Sequence, residues 1–228
     1  MWKAKANWMT YSQEPTDSAR YLRRMNHWYD VLAGTYGAFM LICPPYKRWL
    51  SSVLPFMHGR TVLEVSFGTG YLMQQYARTY EAYGIDYNEH MVRMTRKRLR
   101  GVVPTDHLLQ GDVARLPYAD AVFDTVISTM AFTGYPDGER ALDELFRVTT
   151  PGGALLLVDV DYPADRNLCG FTIVKVGAWI GDIIRDIDAL LDRRAVAYTC
   201  ETIGGCGSVK RWVVTKPLVP ASHTSGRM

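Results

Sequence analysis

The spacing of apolar residues divides the chain into two parts. Before residue 60, apolar residues recur at intervals of three and four, which predicts helices. One helix is expected to begin after Thr16 or Asp17, and a second to cover residues 46–57 and end at His58-Gly59. After residue 60, short apolar runs alternate with helical spacing, a pattern typical of alternating strands and helices. The predicted strands are TVLEV, EAYGID, DHLLQGD, FDTVIST and ALLLVDV.

The helices predicted in this second part cover residues 70–80, 89–100, 137–148 and 173–191, the last as one long amphipathic helix. Two strands near residues 197–203 and 209–215, joined by the turn GGCG, are expected to close the chain as an antiparallel hairpin. This alternation predicts an α/β protein whose parallel sheet is covered by helices on both faces. We expect an N-terminal arm and helical cap over residues 1–59, a core over residues 60–217 and a disordered tail over residues 218–228.

Composition and charge narrow the classes of function. The 228 residues are 48% hydrophobic and 21% charged, as in a globular protein with a full core. A formal net charge of +3 gives no reason to expect a nucleic-acid partner. Cys43, Cys169, Cys200 and Cys206 show no CxxC spacing, so we expect neither a metal site nor a disulfide framework. The N-terminus lacks the pattern of a signal peptide, which predicts a cytoplasmic protein.

One uncharged stretch, residues 31–46 (VLAGTYGAFMLICPPY), stands out in the cap. It is shorter than the ~20 residues of a spanning helix, and glycine and proline interrupt it. Two interpretations stay open. The stretch is a buried helix or lid on the core, or it is a surface for a lipophilic substrate or a membrane, since aromatic and basic residues flank it like interfacial anchors. Peripheral membrane contact is therefore an open alternative.

The motif LEVSFGTGYL, residues 63–72, carries the clearest chemical signal. A strand ends at an acid, Glu64, and the chain then turns through Gly68 and Gly70 into a helix. Glycine lets a ligand approach the backbone closely, and the amides at a helix start favour polar or anionic groups. A tight turn without a ligand would account for the same glycines.

Two further acids follow at the same edge of the predicted sheet. Asp86 ends the second strand, 18 residues beyond Gly68, where a carboxylate can accept both ribose hydroxyls of a nucleoside. Asp112 follows the third strand, where it can accept from an adenine amino group while Val113 offers a backbone amide. This order of acids and glycines predicts a cradle for an adenosine that carries an amino acid.

These segments resemble the class I S-adenosylmethionine-dependent methyltransferases, in particular the quinone-biosynthesis and phosphatidylethanolamine-methyltransferase-like branch. The family's acid and glycine pattern matches residues 62–70, with Ser66 in place of the first glycine. Its Leu-Pro-Phe-x-Asp-x-Ser-Phe-Asp run matches residues 116–124, and its Arg-Val-Leu-Lys-Pro-Gly-Gly turn matches residues 147–153. The resemblance covers residues 60–162. It implies a Rossmann-like, seven-stranded, mostly parallel sheet with a C-terminal antiparallel hairpin and an N-terminal helical cap.

The resemblance also implies S-adenosylmethionine as the cofactor. The acid and the glycine turn would hold its methionine part, Asp86 its ribose and Tyr87 its adenine. The side chain of Ser66 could crowd the turn, or its hydroxyl could add a contact to the carboxylate. The complete set of cofactor-binding residues is then Glu64, Ser66, Phe67, Gly68, Gly70, Asp86, Tyr87, Met91, Asp112, Val113, Ser128 and Thr129.

Catalytic residues are harder to identify in the sequence than cofactor-binding residues, because methyl transfer from a sulfonium mainly requires that the two reactants are aligned. A general base is needed only where the acceptor must lose a proton. The candidates are His27, Tyr29 and Tyr36 in the cap, and Asp159, Asp161 and Tyr162 after the fifth strand; for each of them a structural role is an alternative. The expected substrate pocket consists of Tyr36, Met130, Asp161 and Tyr162.

The leading hypothesis is methyl transfer to a small acceptor that is apolar, aromatic or lipidic. A non-catalytic cofactor-binding partner or regulatory subunit is one alternative, and a methyltransferase for RNA or protein is another. Residues 128–131 are Ser-Thr-Met-Ala, not the Asn-Pro-Pro-Tyr type of tetrapeptide, which argues against amino-group methylation of bases and glutamine. A dinucleotide oxidoreductase is disfavoured, because its GxGxxG fingerprint, started from Gly68, would need glycine or alanine where this sequence has Met73.

Overall fold

Seven strands form a single sheet in a computed structural model that describes residues 9–27 and 43–218. The strands are β1 (Thr61–Val65), β2 (Glu81–Asp86), β3 (Leu108–Gln110), β4 (Phe123–Thr129), β5 (Thr149–Val160), β6 (Ala197–Gly204) and β7 (Val209–Thr215). Their spatial order is β3-β2-β1-β4-β5-β7-β6. The first five strands pair in parallel and β7 pairs antiparallel with both β5 and β6. The predicted fold class is confirmed.

Seven α-helices accompany the sheet in the described part of the chain. They are α1 (residues 18–27), α2 (Pro44–Ser51), α3 (Met73–Tyr76), α4 (Glu89–Arg98), α5 (Gly138–Val148), α6 (Leu168–Ile180) and α7 (Ile187–Arg193). Helix α1 begins where Asp17 Oδ1 accepts a hydrogen bond from Arg20 N at 2.8 Å, so one of the two expected caps is confirmed. Side chains of Asn88 and Asp137 cap α4 and α5 in the same way.

Both faces of the central strands are buried. Residues 155–158 of β5 have no exposed surface, as expected for a strand covered on both sides. One face packs against α5 and α7 through Leu142 and Leu191, and the other packs against α3 and α4 through Met73 and Val92. Burial of each such side chain stabilises the fold by about 1.5–3 kcal/mol relative to exposure. The sheet is therefore the rigid support for the loops at its carboxyl edge.

The prediction of one long helix over residues 173–191 is wrong. Helix α6 ends at Gly181, whose φ of +125° favours glycine, and α7 begins where Asp186 accepts a hydrogen bond from Ala189 N. The apolar spacing continues across the break because Ile183 and Ile184 are buried outside a helix. The backbone of these two residues bonds instead to the turn after β4 and to the N-terminal arm.

Two other predicted helices are shorter than expected. The helix predicted over residues 70–80 is reduced to α3, because the chain must enter β2, where Glu81 N donates to Arg60 O at 3.0 Å. The helix predicted over residues 46–57 becomes α2 and a 3-10 turn, Leu54–Phe56. Pro55 has no N–H for a helical hydrogen bond, which explains the break.

One pair of cysteines is joined in the structure, although the spacing gave no reason to expect a disulfide framework. Cys169 in α6 and Cys206 in the turn before β7 form a disulfide with a Cα–Cα distance of 5.9 Å. The two residues are 37 positions apart, and only the hairpin's return beside α6 brings them together. Within residues 9–27 and 43–218, no three metal-ligating side chains cluster. No helix in these ranges is long and apolar enough to cross a membrane.

The N-terminal arm before α1 lies against the segment between α6 and α7. Ser12 and Ile184 exchange two hydrogen bonds of 2.8 and 3.0 Å. Glu14 pairs with the buried Arg185, and its carboxylate also accepts from Gly138 N at 2.9 Å. These contacts bring α1 over the carboxyl edge of the sheet.

Candidate functional site

A cleft opens at the carboxyl edge of the sheet, where the strand order reverses between β1 and β4. This is the position at which open α/β sheets bind their ligands. The cleft, called the main cleft below, contains about 730 Å³ of empty space, which includes the open solvent at its mouth. Its walls consist of Leu22, Met25, Asn26, Ser66, Gly68, Asp86, Tyr87, Asn88, Met91, Thr129, Met130, Ala131, Gly134 and Tyr135.

The glycine turn after β1 forms the floor of the main cleft. Gly68 and Gly70 have φ values of +54° and +69°, a region that favours glycine. A Cβ on Gly70 would lie 2.6 Å from Thr95 Cγ2, and Thr95 Oγ1 donates to Gly68 O at 3.0 Å. The turn is thereby attached to α4 and leaves no room for larger residues. The predicted need for glycine is explained by both conformation and packing.

Asp86 stands at the end of β2, as the sequence predicted, and faces the main cleft. Its two carboxylate oxygens accept from Gly68 N at 2.8 Å and from Asn88 N at 2.9 Å. Burial raises the pKa of Asp86 to about 6, against the lowering effect of these two hydrogen bonds. Each oxygen keeps a second lone pair, so the carboxylate can also accept hydroxyl groups of a bound nucleoside.

A smaller cleft, called the inner cleft below, adjoins the main cleft along the glycine turn and shares Ser66, Gly68 and Thr129 with it. Glu64 is buried there and accepts a hydrogen bond of 2.9 Å from the hydroxyl of Tyr76. Burial raises the pKa of Glu64 to about 8, and the bond from Tyr76 only partly offsets that effect. Among residues 9–27 and 43–218, no Lys, Arg or His forms an ion pair with Glu64, and a buried carboxyl of this kind suits the ammonium group of an amino acid.

Tyr135 is the main wall residue that sequence reasoning missed. It lies just beyond the 3-10 turn Phe132–Gly134, is 7% exposed and lines the main cleft. Its hydroxyl is 3.0 Å from Ser66 Oγ and 3.1 Å from Ser128 Oγ. Burial raises the pKa of Tyr135, so this hydroxyl stays protonated at neutral pH. No motif marks this tyrosine; the serine that replaces the first family glycine was the only sequence signal.

The other predicted cofactor residues are distributed unevenly. Tyr87, Met91 and Thr129 line the main cleft, and Phe67 lines the inner one. Ser128 is fully buried behind Tyr135. Gly70, which is part of the glycine turn, packs against Thr95 and lines neither cleft. Two further residues also lie outside both walls: Asp112, which caps the turn after β3, and Val113, which packs in the core. The adenine contact of Asp112 and Val113 stays a prediction.

The cap contributes part of the wall, though not through the residues that were expected. Leu22, Met25 and Asn26 of α1 face the main cleft, and Asn88 Nδ2 donates to Asn26 Oδ1 at 2.8 Å. The predicted base His27 is exposed and is not part of either wall. The predicted residues Tyr29 and Tyr36 lie outside the described residues.

Asp161 and Tyr162 are not brought to either cleft. Both are 1% exposed and bonded within the core, which is the structural role named above as the alternative for them. Asp161 forms an ion pair of 2.6 Å with Lys210, and the Tyr162 hydroxyl donates to Thr10 O at 2.8 Å. Asp159 is also fully buried, bonded to Thr133. Of the expected substrate pocket, Met130 lines the main cleft.

The sheet order and the position of the two clefts are those of a Rossmann-like domain with the fold of the class I methyltransferases. Residues 63–157 match the family described as a methyltransferase domain. The ubiquinone/menaquinone biosynthesis C-methyltransferase UbiE of Klebsiella pneumoniae is 32% identical over 124 residues, which are 52% of this chain and 49% of that protein. A demethylmenaquinone methyltransferase of Deinococcus radiodurans is 32% identical over 143 residues, 61% of this chain and 58% of that protein.

The chain thus spans about half the length of the curated relatives it matches. Among solved structures, a SAM-dependent methyltransferase from Thermotoga maritima has a TM-score of 0.66 and covers 83% of this chain and 99% of its own, with 22% sequence identity. At that identity the likeness is one of fold. Together these matches confirm the resemblance to the class I S-adenosylmethionine-dependent methyltransferases and, within them, to the quinone-biosynthesis branch.

Proposed function

We propose that the protein transfers a methyl group from S-adenosylmethionine to a small acceptor that is apolar, aromatic or lipidic. The observation that carries this proposal is the arrangement of two buried carboxyls in two clefts that share one glycine turn. Asp86 faces the main cleft and Glu64 the inner cleft, with Ser66 and Gly68 common to both. An adenosine that carries an amino acid needs an acceptor for its ribose at one end and for its ammonium at the other.

In this proposal the residues of the turn bind and orient the cofactor. Asp86 accepts the ribose hydroxyls and Tyr87, 39% exposed at the cleft mouth, covers the adenine. Glu64 in its ionised form pairs with the ammonium group. The bound cofactor supplies an electrophilic methyl group, and the protein's contribution is alignment and the exclusion of water.

The character of the main cleft supports an apolar acceptor. Leu22 and Met25 from α1 face Met130 and Ala131 from the turn after β4, and no Lys or Arg stands in its described wall. Methionine and leucine side chains adapt well to flat or irregular apolar ligands. The two relatives named above are a ubiquinone/menaquinone biosynthesis C-methyltransferase and a demethylmenaquinone methyltransferase, which supports an aromatic small molecule as acceptor and gives no reason to invoke nucleic acid. Cytoplasmic location, with or without peripheral membrane contact, remains part of the proposal.

Radiolabelled methyl transfer tests the acceptor class. The protein is incubated with methyl-labelled S-adenosylmethionine and, separately, a reduced alkylated naphthoquinone or benzoquinone, a mixed RNA and an unfolded protein. We expect label in the organic-soluble quinol only. Label in RNA or protein would favour a macromolecular acceptor, and cofactor binding without transfer to any acceptor would favour the regulatory-subunit alternative.

A further inference from the structure

Ser66 adopts an unfavourable backbone conformation at the centre of the site. Its φ is +52°, a region that costs a residue with a Cβ about 1–2 kcal/mol and that glycine adopts freely. Related methyltransferases have glycine there by the resemblance described above. Strained backbone conformations are concentrated at functional sites, so the strain at Ser66 favours a functional role for its side chain. The only polar atom that Ser66 adds is its hydroxyl, which sits where the two clefts meet.

The hydroxyls of Ser66, Tyr135 and Ser128 form a chain with O–O distances of 3.0 and 3.1 Å. Each hydroxyl has one proton to donate. The oxygen of Tyr135 could accept from both serines, but its own proton would then be buried without an acceptor, so the favourable arrangement has Tyr135 donate to one serine and accept from the other. The serine that accepts from Tyr135 keeps its own proton for another partner.

Burial decides the direction of this chain. Ser128 is fully buried, and its one described hydrogen-bond partner is Tyr135. If Tyr135 donated to Ser128, the Ser128 proton would be buried without an acceptor, which costs about 1–3 kcal/mol. The favourable order is donation from Ser128 to Tyr135 and from Tyr135 to Ser66. The proton of Ser66 then points into the clefts.

We propose that Tyr135 is a positioning residue that orients the Ser66 hydroxyl as a donor to the carboxylate of S-adenosylmethionine. This inference rests on the proposed function. It attributes the protein's selectivity for a cofactor with a carboxylate to the three linked hydroxyls. Neither cleft has a Lys or Arg in its described wall; Lys47 lies 5.6 Å from the centre of the Tyr71 ring and is not part of either wall. The carboxylate must then be bound by neutral donors, whose orientation has to be fixed in advance.

The backbone around Tyr135 is fixed independently of its hydroxyl. The buried Arg185 donates to Phe132 O at 3.0 Å and to the carbonyl of Tyr135. The ring also packs edge-on against Phe132 with centroids 5.6 Å apart. Replacement by phenylalanine keeps these contacts and removes only the hydroxyl. Tyr135→Phe is therefore a clean test of the chain.

The test compares the affinity for S-adenosylmethionine with that for decarboxylated S-adenosylmethionine, which lacks only the carboxylate. We expect Ser66→Ala to weaken S-adenosylmethionine about tenfold, as for loss of a hydrogen bond to a charged group. Tyr135→Phe should weaken it roughly 3–10-fold, because Ser66 remains but is free to rotate. Both variants should bind the decarboxylated compound as the unmodified protein does.

Two controls separate orientation from general damage. Ser128→Ala removes the buried end of the chain and should leave the ratio of the two affinities unchanged, because Tyr135 still donates to Ser66. In the Ser66→Ala background, Tyr135→Phe should have no further effect on that ratio. Thermal unfolding checks that each variant is folded. If Tyr135→Phe does not fold, the comparison of Ser66→Ala with Ser128→Ala decides.

One result would overturn the inference alone: an unchanged ratio of the two affinities in Ser66→Ala or in Tyr135→Phe, whether neither compound is weakened or both are weakened equally. Binding of neither compound by the unmodified protein would instead overturn the proposed function, and the inference with it. The two failures are therefore distinguishable in one set of titrations.

Discussion

Asp86 combines a structural and a binding role in a single carboxylate. It holds Gly68 N and Asn88 N while its remaining lone pairs face the main cleft. We expect Asp86→Ala to weaken S-adenosylmethionine and 5′-methylthioadenosine alike, by about 1.5–3 kcal/mol, because both share the ribose. Calorimetric titration measures the two affinities. A loss confined to S-adenosylmethionine would contradict the ribose contact.

Glu64 makes cofactor affinity depend on pH. Its pKa of about 8 in the free protein falls when a cationic ammonium group binds beside it, so binding below pH 8 releases a proton. Affinity should then rise between pH 6.5 and 8 by at most ~10-fold per pH unit. Titrations in buffers of different ionisation enthalpy count the released proton. Glu64→Gln should abolish both the proton release and the pH dependence; their persistence in that variant would contradict this assignment.

The ligand-free protein should show the opposite trend in stability. The carboxyl of Glu64 titrates near 4.5 in the unfolded chain and near 8 in the folded one, so between these pH values the folded state binds more protons. The contribution of Glu64 to the free energy of unfolding therefore falls as pH rises from about 4.5 to 8. Cofactor affinity and the free energy of unfolding therefore change in opposite directions with pH, and this difference distinguishes the effect of ligand binding from the effect of folding.

At the scale of elements, the glycine turn and α4 depend on each other through a close contact. Gly70→Ala forces a Cβ to within 2.6 Å of Thr95 at a φ of +69°, whereas Gly101→Ala has a φ of +75° and no atom within 4 Å. Gly101→Ala should cost about 1–2 kcal/mol for its conformation alone. Gly70→Ala should cost about 1–3 kcal/mol more, through crowding. Urea unfolding compares the two, and equal losses would contradict the packing argument.

The elements that the sequence predicted well are those whose signals are local. Strands β1, β2 and β4 follow their apolar runs closely, and α5 follows its spacing and its cap at Asp137. The break between α6 and α7 was missed because buried residues outside a helix continued the apolar spacing. The disulfide of Cys169 and Cys206 was missed because it depends on tertiary contact across 37 positions.

In the site, too, the residues that were predicted correctly are those with a local signal in the sequence. The strand-end acids and the glycine turn were found because their spacing in the sequence fixes their place on the sheet edge. Tyr135 was not predicted, because no motif marks it and its position beside Ser66 depends on the 3-10 turn that precedes it. Asp161 was expected in the pocket because it follows β5, but the hydrogen bonding continues beyond the strand, where Asp161 N donates to the carbonyl of Ser208 just before β7 at 2.8 Å.

At the scale of the whole molecule, the cleft is a joint product of the sheet and the N-terminal segment. The arm bonds to Ile184 and Arg185, and α1 reaches across to Asn88 through Asn26. The sheet alone supplies the floor and the two acids, while α1 supplies an apolar wall through Leu22 and Met25. The proposed activity therefore requires both parts to meet around one ligand.

The most direct test of this account is calorimetric titration of the intact chain with S-adenosylmethionine and S-adenosylhomocysteine, with NAD⁺ as the control nucleotide. The account predicts saturable binding of both adenosyl compounds in the micromolar range, about −8 kcal/mol, with a matching rise in melting temperature, and no binding of NAD⁺. Absence of both heat and thermal shift with either adenosyl compound, or preferential binding of NAD⁺, would contradict the central claim.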